Sequence, residues 1–166
     1  MTSPDRPDRP DQPDQPDRVE HRMERTYEVA ATPDQVWDAI ATADGISAWM
    51  VPTRLDPHVG GAVSFDVGKF WSHGIVTDYT PGKRFAYAEP WPNQPGMPTA
   101  EHDLSSLSPI ATEFLVEWAS GGTCVIRVVT SAYGSGADWE NEFFDEMVAG
   151  VIPMLDNLAT HLDKAK

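Results

Sequence analysis

Residues 138 to 163 carry more apolar side chains than a helix on the outside of a protein can use. Trp139, Phe143, Met147, Val151, Leu155, Leu158 and Leu162 recur at spacings of three and four, which lines them along one helical face. Phe144, Val148 and Ile152 form a second row beside them. A stripe that wide must be enclosed by other elements, and the palm of a curved sheet is the simplest enclosure. Pro153 has no N–H and its ring crowds the carbonyl of Ala149, so a kink is expected near Gly150 to Pro153.

The rest of the chain supplies such a sheet. Tyr27-Glu28-Val29 alternates as a strand does, and strand patterns follow at Thr53 to Asp56, Ala62 to Val67, Gly74 to Tyr79, Arg84 to Glu89, Thr112 to Ala119 and Thr123 to Ser131. Ser120-Gly121-Gly122 reads as a compact hairpin connection. Hairpin-linked strands with one wet face imply an antiparallel sheet, with Phe114, Val116 and Trp118 turned inward. Between the first two strands, Thr32 and Pro33 open a helix carrying Val36, Trp37 and Ile40. Gly45 is expected to break it before a second short turn with Ile46, Trp49 and Met50. The order predicts an α+β, helix-grip architecture: a curved antiparallel sheet, two short helices and a long C-terminal helix.

Residues 1–18 are a different material. Proline and aspartate recur there at a period of three with nothing apolar to bury, which predicts a disordered solubilising tail ahead of a domain over 19–166. No run approaches the ~18 apolar residues of a membrane helix, and the polar N-terminus does not resemble a signal peptide. Cys124 is alone, which excludes an internal disulfide and suits a reducing cytoplasm. With 12 basic against 26 acidic residues the net charge is −14, an unsuitable basis for a nucleic-acid face.

Motifs with committed chemistry are absent. There is no dinucleotide fingerprint, phosphate loop, nucleophile elbow or Cys-x-x-Cys, and no cofactor is expected. Glu101-His102-Asp103 could not converge on one ion as consecutive loop residues, so no metal is expected. His58 reads as a surface turn, and His21 and His161 as solvated edges of the domain. Weak catalytic candidates are His73, beside Phe70 and Trp71, together with Tyr87 and Glu89 on a strand face shared with Phe85. A carboxyl on an apolar wall has a raised pKa and can act as general acid or base. Aromatics supply the stronger signal. Trp49, Phe65, Trp71, Phe85, Tyr87, Phe114, Trp118, Trp139 and Phe143, with Val116, Ile126 and Met147, are the expected lining of a ligand pocket.

Taken in order, Thr32-Pro33 with Val36-Trp37, Trp49, Gly60-Gly61 before Phe65, Gly74-Ile75-Val76 with Pro81, Arg84-Phe85, Trp91, Gly122-Thr123 and Trp139 form a familiar series. Over about residues 24 to 163 the chain resembles the START-like (SRPBCC) superfamily, in the branch of the activator of Hsp90 ATPase homologues. It departs from that pattern in a long Pro-rich insertion at 90–111, a length often associated with function. The resemblance implies the helix-grip fold around a cavity but is poorly specific for activity. Three functions follow from it: a non-catalytic carrier or sensor of a lipid-, polyketide- or aromatic-like molecule, an enzyme of the cyclase or dehydratase kind, and a co-chaperone of an Hsp90-type ATPase. The first needs only a cavity and is preferred. The third ranks last, because the place of the family's additional N-terminal domain is held here by the Asp-Pro tail. Homodimerisation stays open.

Overall fold

The computed structural model describes residues 19–91, 102, 104, 107–119 and 121–164. The chain order is β1 (Val19–Val29), α1 (Pro33–Ile40), α2 (Ala43–Trp49), β2 (Thr53–Leu55), β3 (Ala62–Asp66), β4 (Trp71–Thr80), β5 (Arg84–Glu89), β6 (Ile110–Ala119), β7 (Thr123–Gly134) and α3 (Asp138–Lys164). The strands form one seven-stranded antiparallel sheet in the order β1-β7-β6-β5-β4-β3-β2. After β1 the chain crosses the sheet through α1 and α2 to the far edge, then returns strand by strand until β7 closes on β1. The expected fold is the one observed. The tail at 1–18 and most of the 90–111 insertion lie outside the described residues. No helix among the described residues is long and apolar enough to cross a membrane.

The two short helices are fixed by their caps. Thr32 Oγ1 accepts from Gln35 N at 3.2 Å while the Gln35 side chain accepts from Thr32 N at 2.9 Å, a reciprocal box that satisfies two orphan donors. Gly45 does not break the first helix; it lies inside the second. The break comes at Ala41 and Thr42, where Thr42 Oγ1 accepts from Gly45 N at 3.0 Å. Gly45 is required for a different reason: a Cβ there would collide with the Asp38 carbonyl. The indole of Trp49 reaches back to donate to Ala39 O at 2.8 Å, and Tyr79 O–H donates to Ala41 O at 3.0 Å. Two carbonyls that end α1 are thereby satisfied and tied to α2 and the sheet.

Helix α3 runs unbroken through Pro153 and is held at both ends. Toward its C-terminus Leu155, Leu158 and Leu162 are fully buried, while Asp163 accepts from Ala30 N and Asp156 from Tyr27 O–H. At its N-terminus the Glu140 side chain is buried, with only 1% of the residue exposed. Its carboxylate lies 3.1 Å from His21 Nε2 and accepts from Ser135 N, Ser135 Oγ and Gly136 N at 3.2, 2.6 and 3.0 Å. His21 is therefore not a solvated edge residue. It is buried, 5.4 Å from the Phe144 ring and 6.1 Å from that of Trp91. Gly134 is where it is because a Cβ would strike the same carboxylate.

Burial works to raise the Glu140 pKa, but the donors from Ser135, His21 and the Gly136 and Ser135 backbone outweigh it and hold it below the usual carboxylate range. A group with a lowered folded pKa contributes its stability above the unfolded value, roughly 4.3, and loses it as pH falls through the folded pKa. Glu140→Ala strands these donors in a buried site and is expected to cost about 3 kcal/mol at pH 7. Urea titrations of wild type and Glu140→Gln from pH 7 to 3 should show the gap between them closing as pH falls. A gap independent of pH contradicts an ionised Glu140.

Candidate functional site

Between its clamped ends α3 does not sink into the sheet. Phe143, Met147 and Val151 are only half-buried, and beneath them lies a cavity of about 170 Å³. Trp49 and Met50 from the α2 end close one side, and Phe65, Tyr87, Phe114 and Val128 form the floor on the inward faces of the strands. These rings brace one another: Phe65 with Tyr87 at 5.2 Å, Phe85 with Tyr87 at 5.6 Å, and Trp49 with Phe114 at 6.3 Å between centroids. A floor of mutually packed rings is stiff, so the space above it is not easily lost by collapse. Roughly 150 Å³ of dry cavity accommodates a benzene ring. The void therefore suits a single ring or a short chain.

One wall is polar. Ser72, Glu89, Tyr87, Thr112 and Thr130 all line the cavity. Ser72 Oγ donates to Glu89 Oε2 at 2.5 Å, Tyr87 is hydrogen-bonded to Thr112, and Thr112 Oγ1 lies 3.1 Å from Thr130 Oγ1. Burial pushes the Glu89 carboxyl up, with the Ser72 hydrogen bond only partly opposing it. Burial also drives the Tyr87 phenol far above its usual range, reinforced by the charge of Glu89 and opposed by the Thr112 hydrogen bond. Tyr87 stays a neutral phenol, and Glu89 can hold a proton inside an apolar site.

Of the expected pocket residues, Trp49, Phe65, Tyr87, Phe114, Phe143 and Met147 line this cavity. Phe85, Val116 and Ile126 are buried in the core instead. Trp139 packs beside Trp91 and stacks on His102 at 4.2 Å. Trp118 is a correction: its parity is inward, but it sits next to the turn of the β6–β7 hairpin, paired with Cys124, and is 58% exposed. Trp71 and His73 also lie outside the cavity. They line an outer groove of about 330 Å³ over the ends of β4 and β5, together with Trp91, Leu104 and Leu107. His73 Nδ1 is 2.8 Å from Ser64 Oγ, and the Arg54 guanidinium lies 4.3 Å from the Trp71 ring centre.

Sequence reasoning passed over Met50, Val151, Ser72, Thr112 and Thr130. The last three were findable by strand parity, since Thr112 alternates with Phe114, Thr130 with Val128 and Ser72 with Val76. No cluster of three or more metal-capable side chains exists among the described residues. Residues Glu101 and Asp103 of the Glu-His-Asp run lie outside them.

Residues 30–163 match the family described as Activator of Hsp90 ATPase homolog 1-like protein, and the chain belongs to that family. Protein MLL2253 from Mesorhizobium loti is similar in structure, with a TM-score of 0.70 at 16% identity over 88% of this chain and 99% of the other. The Aha1 dimer from Colwellia psychrerythraea gives 0.61 at 17% identity, covering 86% and 96%. CalU16 from Micromonospora echinospora gives 0.62 at 14%, covering 87% and 81%. At these identities the likeness is one of fold. No curated protein shows a significant sequence match.

Glu89 titrates in the opposite sense to Glu140. With a folded pKa above the unfolded one, its favourable contribution is complete below about pH 4.3 and is lost as pH rises through the folded value. Glu89→Gln removes that loss. Melting curves should show the variant gaining Tm relative to wild type between pH 5 and 8, and a constant difference across that range would place Glu89 in water.

Proposed function

We propose that this family member binds a small, mainly apolar molecule in the cavity under α3, as a non-catalytic carrier or sensor. The observation that carries the reading is the half-buried row Phe143, Met147 and Val151 roofing an apolar void with hydrogen-bonding groups along one wall. Apolar surroundings supply affinity, and the groups of Glu89, Ser72 and Tyr87 orient one polar substituent. The volume selects within the ligand classes that the sequence left open: a ring or short chain fits, and a diacyl lipid does not. The lone buried Cys124, with its thiol pKa raised by burial, fits a protein kept in a reducing cytoplasm.

A second reading has an observation of its own. Glu89 is a carboxyl held by one hydroxyl inside an apolar site, which is how a general acid is prepared for cyclase- or dehydratase-like chemistry. His73 does not join it in the cavity. The Hsp90-ATPase reading rests on the family's description and the Colwellia Aha1 neighbour, and nothing in the cavity bears on it.

Toluene titrated against ¹⁵N-labelled protein should shift the amides of Phe114, Thr130 and Met147. Met147→Trp, which fills the void, should abolish those shifts without unfolding the protein. Phe143→Ala should cost well under the ~3–5 kcal/mol of a fully buried Phe, because space already lies beside it. The full core penalty, with no toluene shift in wild type, means that the core is filled and the protein is not a carrier of this kind.

A further inference from the structure

The cavity and the outer groove are not independent. Phe70, Ser72 and Pro90 line both, so the two spaces are neighbours where β4 begins and β5 ends, with Glu89 on the cavity side. The groove differs in chemistry from the cavity. Its rim carries His73, whose Nδ1 is engaged by Ser64 and whose Nε2 has no partner among the described residues. It also carries Trp71, capped by Arg54.

Arg54 stands apart from the other described arginines. Arg22, Arg25, Arg84 and Arg127 each lie within ion-pair distance of a carboxylate, whereas Arg54 has none among the described residues and rests on an indole face. In a chain of net charge −14 with 26 carboxylates, a cation left without a carboxylate beside a groove is available to a ligand. An arginine keeps its charge at all relevant pH, and its planar fork suits a carboxylate.

We infer that the ligand is amphipathic, with an apolar ring or short chain in the cavity and a flexible arm in the groove whose terminal carboxylate lies beside His73, at the Trp71 rim within reach of Arg54, which itself does not line the groove. This rests on the cavity reading above. Phe70 borders both spaces, and the arm runs beside its ring. The groove, about 330 Å³ against the cavity's 170 Å³, leaves room for an arm of several atoms.

Three probes separate the parts: toluene for the ring alone, 4-phenylbutan-1-ol for ring plus neutral arm, and 4-phenylbutyrate for ring plus charged arm. Each is titrated by NMR against the full-length protein at fixed ionic strength. Phenylbutyrate should bind about tenfold tighter than phenylbutanol, as one charge-assisted contact warrants. Arg54→Gln combined with His73→Ala should erase that advantage and leave toluene unaffected. Met147→Trp should weaken all three. If toluene binds but phenylbutyrate is no tighter than phenylbutanol, or its advantage survives the double substitution, the groove assignment fails and the cavity reading stands. Phenylbutyrate binding unchanged in Met147→Trp overturns a continuous site. If none of the three binds, both readings fall together.

Discussion

The Glu140 carboxylate is the point at which three parts of the chain become one structure. It belongs to the first turn of α3, yet its donors come from β1 through His21 and from the β7–α3 connection through Ser135 and Gly136. An isolated buried carboxylate would be expensive, and these partners make it tolerable. They also make it directional. The helix can leave the sheet at only one angle if all the bonds are kept, and Gly134 removes the Cβ that would obstruct that approach. With Leu155, Leu158 and Leu162 buried at the other end, α3 is a beam on two supports.

A beam on two supports can span a gap, and the cavity is that gap. The strand aromatics could have risen to meet the helix, but they are spent on each other. Phe85 stacks with Phe114 at 6.4 Å, meets Tyr87 at 5.6 Å, and is itself met edge-on by Tyr79 at 5.9 Å. Ring pairs of this geometry hold their positions at the cost of leaving space above them. Empty apolar space sacrifices dispersion contacts on every side. That loss is affordable because the helix ends and the ring floor are stabilised elsewhere.

Much of this was legible in the sequence, for reasons that also mark where legibility stops. The alternation in 112–119 and 123–131 and the three-four spacing of 139–162 are local consequences of the repeat of each element, and they placed the strands and the long helix. Thr32-Pro33 marked the start of α1 for the same local reason. Trp118 shows the limit of parity: alternation reports the face of a strand, whereas burial depends on what lies over that face at that point along it. Gly45 shows another, since its constraint is the close approach of Asp38 across a helix corner rather than a conformation that only glycine adopts. His21 and Glu140 lie 119 positions apart. Each reads as an ordinary surface residue, and nothing in either neighbourhood announces the other.

Two glutamates inside one fold therefore come to opposite ends by the number of donors each receives. Glu140 has four, from two backbone N–H groups, a hydroxyl and an imidazole, and its pKa is pulled down despite burial. A carboxylate so fully satisfied has nothing left to offer a ligand, and its role is to hold α3. Among the described residues Glu89 receives one hydrogen bond, from Ser72, and burial wins, raising its pKa. Glu89 lines the cavity wall, close to Ser72 and Pro90, which border both cavity and groove. A group left under-satisfied in an apolar site costs stability. On the proposed reading, a bound molecule with a complementary polar atom would recover part of that cost, and the desolvation that weakens the free protein would then add selectivity.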